Sequence, residues 1–317
     1  MAHLVETMAY AGKVPWHGLG ERVPADLSPR QMMRKAGVDW EVEKVPTYAA
    51  KDGVDLIETG TSALIRSTDN KVLSPMVGDN WEPVQNVEAF DFFTEYCAAG
   101  DMEMHTAGSL NDGKVVWALA KINESFDVLG EDQVDSYLLF SNPHQYGKSL
   151  NVRFTPIRVV CNNTLTLSLS EKSKNEVTLN HRRAFDPSMV KEQLGIAHEK
   201  FEMYKDASRF LAGKRANTSD IVQFMNEVFP IADKQKEVKG YEDLSRTAKR
   251  AVDVLETQPG ANFAMGSWWN AINAVTYLTD HELGRNSDTR MQSAWFGYNQ
   301  GRKVKAMNLA IEMAEVA

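Results

Sequence analysis

The amino-acid sequence predicts an α+β protein, with an antiparallel-rich sheet and one helix in the N-terminal part and a mainly helical C-terminal part. Two observations predict it. Up to about residue 183, short runs of Val, Thr, Leu, Ile and aromatic residues are bounded by Gly, Asn, Asp and Pro, the punctuation of strands and turns. After Asp186-Pro187-Ser188 the apolar residues recur at spacings of three and four, the helical period. The change implies a mixed domain over 1–185 with an N-terminal arm, and a helical domain over 186–317. A chain of 317 residues, 43% hydrophobic and 25% charged, can build about two cores of that size.

The strands are expected at Thr61 to Arg66, Val72 to Val77, Lys114 to Ile122, Ser136 to Phe140, Ser149 to Thr155 and Val159 to Leu169. Asn111-Asp112-Gly113 marks a hairpin turn, because Asp-Gly supplies the positive φ that tight turns need. One helix over Asn86 to Ala98 places Val87, Phe90, Phe93 and Cys97 inward, with Asn86 as its N-cap. Helices then follow at Met189 to Leu211 behind a Ser188 cap, Ser219 to Val228, Asp243 to Glu256, Ser267 to Leu283 and Arg290 to Ala317. The last is expected to break near Gly297 or Gly301. Trp268 and Trp269 adjoin at a helix start, so at least one should pack inside. Pro15-Trp16-His17-Gly18-Leu19-Gly20 reads as an arm docked on the domain or on a neighbouring subunit, and self-association through it or a sheet edge is expected.

Charge is distributed unevenly. Lys and Arg total 35 against 43 Asp and Glu, a formal charge of −8, so bulk charge does not attract a polyanion. Residues 1–140 carry 11 basic against 23 acidic side chains, residues 141–183 carry 7 against 2, and residues 184–317 carry 17 against 18. One basic island of net +5 therefore sits in an acidic chain. No run approaches the ~18 apolar residues of a membrane span, the N-terminus lacks a signal-peptide pattern, and only two cysteines occur, Cys97 and Cys161. These features point to a reducing cytoplasm.

No motif identifies a reaction. Gly147-Lys148-Ser149 ends like a phosphate-binding loop, but position 142, where the motif needs its first Gly, is Asn. The histidines are scattered, and Arg285 stands where His281-Glu282 would need a second zinc-ligating His. No Gly-x-Ser-x-Gly elbow is present, and Cys161 lies in an apolar stretch that suits an inert thiol. No catalytic residue, metal ligand or cofactor is assigned, although His144, Asp280 and His281 are open to meeting in a pocket.

The basic island carries the functional expectation. If Ser149 to Thr155 is a strand, Arg153 shares a face with Asn151 and Thr155. Arg158 follows Pro156, where the strand must bend or change partners, and Lys172, Lys174, Arg182 and Arg183 lie in a polar hairpin or loop. With Lys148, Tyr146 and Phe154, such a strip suits a phosphate backbone with stacked bases. The alternative is that these cations are solvated or paired with the acidic first block.

Three separated stretches resemble the uncharacterised phage/plasmid-like family that includes the prophage-borne YafZ/YfjQ group. They are Val14-Pro15-Trp16-His17-Gly18-Leu19-Gly20, Thr155-Pro156-Ile157-Arg158-Val159-Val160-Cys161-Asn162-Asn163-Thr164-Leu165, and Trp268 to Glu282 with its Asp280-His281-Glu282. Where relatives tend to show a short His-Asp-Gly-Ser turn, this chain has His144-Gln145-Tyr146-Gly147-Lys148-Ser149. The resemblance implies a mobile-element origin and a host-cell cytoplasm. Its order of elements is similar to that of phage strand-annealing proteins of the RecT, Redβ and Erf kind, which implies single-stranded DNA as partner and no nucleotide or metal. A competing expectation is an interaction module acting on a host protein without catalysis. A third is a hydrolase assembled from His144, Asp280 and His281.

Overall fold

The structure, a computed structural model, describes residues 5–12, 19–53, 55–158, 163–164, 176–179, 181, 201–232 and 237–316. Its strands are β1 (Val5–Ala11), β2 (Glu21–Val23), β3 (Val42–Lys51), β4 (Asp55–Arg66), β5 (Val72–Val77), β6 (Met102–Leu110), β7 (Val115–Asp127), β8 (Gln133–Pro143), β9 (Leu150–Arg158), β10 (Asn163–Thr164) and β11 (Glu176–Leu179). Eight of them form one sheet in the order β10-β9-β8-β7-β6-β1-β2, with β11 also paired to β9, and β3-β4-β5 form a three-stranded meander. The β1–β2 pair is parallel and β1–β6, β6–β7, β9–β10 and β9–β11 are antiparallel, so the larger sheet is mixed. The chain is α+β as expected.

The residues divide into two compact units. The first comprises Met1–Asn123, Tyr137–Phe154 and Glu176–Gly195, and the second Glu124–Ser136, Thr155–Asn175 and Ile196–Ala317. In the first, β6 turns into β7 through Asn111, Asp112 and Gly113, all at positive φ. β1 lies so close to β6 that a Cβ on Gly108 would fall against the carbonyl of Thr7. Met32, Trp40, Leu64, Phe90, Phe93, Phe140 and Leu150 fill its core. Arg66 of β4, nearly buried over the Trp40 ring, grips Glu6 of β1 through Nη1 and Nη2 at 2.7 and 2.8 Å and also binds Asp69.

Two helical expectations in this unit change. The single helix over 86–98 is two short helices, α2 (Asn86–Asp91) and α3 (Thr94–Ala99). Phe92 and Phe93 are both buried, and the break between the helices lets both rings reach Phe140. Gln85 rather than Asn86 caps α2, because the Asn86 side chain is turned inward to other partners. The sequence reading missed α1 (Pro29–Lys35), which is capped by reciprocal Ser28 and Gln31 bonds, and it missed β1, β3 and β6.

The second unit holds the helical residues 201–213 (α4), then α5 (Thr218–Val228), α6 (Arg246–Asp253), α7 (Trp268–Tyr277), a π turn over Leu278–Glu282, α8 (Ser287–Phe296) and α9 (Tyr298–Val316). The break expected near Gly297 falls between α8 and α9. Both Trp268 and Trp269 are fully buried, edge-on to Phe224 and Tyr204 respectively. Among described residues 201–316 the extended pairing is one bridge, Arg215 to Ser267. No helix among the described residues is long and apolar enough to cross a membrane.

Of the expected strand Val159 to Leu169, Asn163 and Thr164 are described and pair with β9 as β10. Trp16, Cys161, the Ser188 cap and the first half of the helix expected from Met189 lie outside the described residues.

Candidate functional site

Two groupings in the first unit carry chemistry. The first is the strip of residues 146–153. Gly147, at φ +72°, turns the chain between β8 and β9, and β9 begins directly at Leu150. A phosphate-binding loop would continue into a helix after Ser149, so this segment is not one. The turn leaves Tyr146 63% exposed, with its backbone N–H bonded to Ser74 Oγ at 3.4 Å, and leaves Lys148 exposed.

Along β9 the side chains alternate. Leu150, Val152 and Phe154 are buried, while Asn151 and Arg153 are half-buried on the opposite face. Thr155 is buried despite its place on the Arg153 face, and Phe154, expected as a stacking ring, is a core residue. β11 sets Glu176 across from Arg153 and Thr178 across from Asn151. β9 pairs with β11 over residues 150–153 and with β10 over 157–158, so it changes partner around Pro156. Arg158 pairs through its backbone with Asn163, and Lys172, Lys174, Arg182 and Arg183 lie outside the described residues. Of the expected members of the strip, Tyr146 and Lys148 are thus exposed on the turn, and Arg153 is half-buried on β9, on one face with Asn151.

The second grouping lies at the end of β8. Asn142, His144 and His181 are all buried, His181 stacks on Trp81 at 4.2 Å, and His144 meets Trp40 edge-on at 5.4 Å. Asn86 Nδ2 donates to the carbonyls of Val38 and Trp40 at 3.1 and 3.2 Å, so its Oδ1 faces His144 Nε2 at 3.0 Å as an acceptor. His144 must then carry its hydrogen on Nε2, leaving a lone pair on Nδ1. His181 Nδ1 lies 3.3 Å from the Glu82 carbonyl, which makes Nδ1 the donor and Nε2 the lone pair. Asn142 Nδ2 donates to the Val84 carbonyl at 2.8 Å.

Among the described residues, His144 Nδ1, His181 Nε2 and Asn142 Oδ1 are thus three buried acceptors with no hydrogen-bond donor. Burial, with a smaller contribution from His181, pulls the His144 imidazole down to about 3, so it is neutral across the physiological range. Burial also lowers His181, against the opposing pull of the Glu82 and Pro143 carbonyls. Among the described residues no three His, Cys, Asp or Glu side chains gather at one point.

Asp280 and His281 belong to a different arrangement. Asp280, in the π turn, is fully buried and bonds Lys303 Nζ of α9 at 2.8 Å. His281 packs on Tyr277 at 4.9 Å, and Glu282 takes both forks of Arg250. The sequence named His144, Asp280 and His281 individually but gave no signal for His181, Asn86 or Lys303 as their companions.

These features define an α+β protein with a cationic strip on one strand and two buried polar knots. The chain belongs to the family DUF932, a domain of unknown function, whose model matches residues 74–295. That span contains the strip, both histidines and Asp280, and it leaves β1 to β4 and α9 outside. No curated protein and no solved structure matches the chain.

Proposed function

We propose that this protein binds single-stranded nucleic acid along the β8–β9 turn and the outward face of β9, serving strand annealing for a mobile element. The observation that carries the reading is the exposed Tyr146 ring beside exposed Lys148, followed by Asn151 and Arg153 on one face, inside a segment of net +5. A cation attracts phosphate and an exposed ring offers a stacking platform that tolerates any base.

The test is fluorescence anisotropy of a labelled single-stranded oligonucleotide at several salt concentrations. Affinity should fall steeply with salt, with a log–log slope of about −0.7 for each phosphate contacted. Lys148→Ala should flatten that slope, whereas Tyr146→Ala should weaken binding without changing it. No affinity for single-stranded DNA or RNA at low salt removes the reading. A protein-interaction role is the second reading, and one specific feature, an exposed apolar arm on the smaller sheet, favours it.

A further inference from the structure

β5 covers β4 as far as Ser62, which pairs with Val77. Beyond that point β3 and β4 continue as a two-stranded ribbon, in register from Tyr48 opposite Glu58 to Lys51 opposite Asp55. Residues 48–53 and 55–60 are exposed on both faces. Three large apolar side chains are among them, Tyr48 at 54%, Leu56 at 71% and Ile57 at 52%. By alternation Tyr48 and Leu56 share one face, with Ile57 on the other.

The ribbon is aimed by its base. There Thr59, Gly60 and Thr61 stand opposite Thr47 alone, a bulge that Gly60 allows at φ +69°. The hydroxyls of Thr47, Thr59 and Thr61 bond one another at 2.6 to 2.9 Å, which ties the bulge together. Asp52 and Gly53, both at positive φ, close the tip. A solitary two-stranded ribbon is marginal in water, and apolar groups on both faces call for cover on both.

Charge selects what covers it. The arm carries Asp52, Asp55 and Glu58 against Lys51, a net of −2, so it repels nucleic acid and a second arm alike. The complementary stretch among the described residues is 141–158, the β8–β9 turn and β9, which carries Lys148, Arg153 and Arg158 and no acidic residue. We infer that the β3–β4 arm of one copy docks on the β8–β9 strip of a second copy, so that the free protein self-associates and a nucleic-acid strand must displace the arm. The docking stands on the arm and the charge pattern; the displacement rests on the proposed nucleic-acid reading.

Light scattering of the full chain over a range of concentration and salt tests the docking. The wild type should self-associate at low salt and dissociate as salt rises. Two variants probe the arm separately, Tyr48→Ser with Leu56→Ser and Ile57→Ser, and Asp55→Lys with Glu58→Lys. Each should be monomeric with the wild-type melting temperature, because the arm lies outside the core. A wild type that is monomeric throughout, or self-association that survives both variants, overturns the inference. Where docking holds, the labelled oligonucleotide separates the two readings. An arm variant that binds it severalfold more tightly than wild type supports displacement, whereas monomeric variants that bind none keep the docking and remove the nucleic-acid reading.

Discussion

His144 donates its Nε2 hydrogen to Oδ1 of Asn86 over 3.0 Å, joining the end of β8 to the start of α2 across 58 residues of chain. Both groups are buried, and the imidazole stays neutral down to about 3. An ordinary imidazole takes its proton near 6.5, so below that value the unfolded chain binds a proton that the native state refuses. Stability should be fully present above pH 6.5 and decline as pH falls towards 3, by on the order of 4 kcal/mol from this group alone. Urea unfolding across that range checks the slope, and nitrogen NMR should report a lone-pair Nδ1 and a protonated Nε2 from pH 5 to 8.

Asn86 makes three hydrogen bonds to buried partners, to Val38, Trp40 and His144. Replacing it with Leu leaves two carbonyls and an imidazole N–H without their partner and should cost about 2–4 kcal/mol. A capping role alone would make the loss about 1 kcal/mol. The midpoint of urea denaturation distinguishes the two.

Asp280 and Lys303 form a fully buried ion pair at 2.8 Å. Lys303→Met strands a carboxylate and should destabilise by about 3–5 kcal/mol, while Asp280→Leu combined with Lys303→Met should recover most of that loss. A double-mutant cycle by thermal melting measures the coupling.

Two glycines should respond differently to Ala. At Gly108 the new Cβ meets backbone of β1, which cannot yield without moving the strand. At Gly147 nothing lies within 4 Å and only the φ of +72° opposes substitution, at a cost of about 1 kcal/mol. Gly108→Ala should therefore lower the melting temperature far more, although both sit in the same unit.

The parts of this fold that were legible are those governed by neighbours in sequence. Val72 to Val77 was read with its observed bounds, the Asn111-Asp112-Gly113 turn formed as its composition requires, and the helical period survived into α5 to α9. The helix α1 was missed although Ser28, Pro29 and Gln31 spell out a capping box, because seven residues make too few turns for periodicity to register. The strip appeared as charge, but which of its members face outward depends on β9 alternation and on β11. The His144, Asn86 and His181 knot was illegible for a different reason. Its bonds join segments far apart in sequence, and neither composition nor spacing encodes who meets whom across a core.

The threading of the second unit bears on how this protein can be divided. Asp132, from the segment Glu124–Ser136, accepts the indole hydrogen of Trp269 at 2.9 Å, and Phe126 packs edge-on to Phe201 and Tyr204. A gene fragment starting after the sheet would encode the helices without the loop that seats them, leaving a tryptophan and two aromatic rings facing solvent. The chain enters this unit three times and leaves it twice, so its two cores are inherited together: a crossover or truncation that preserves one must carry sequence belonging to the other.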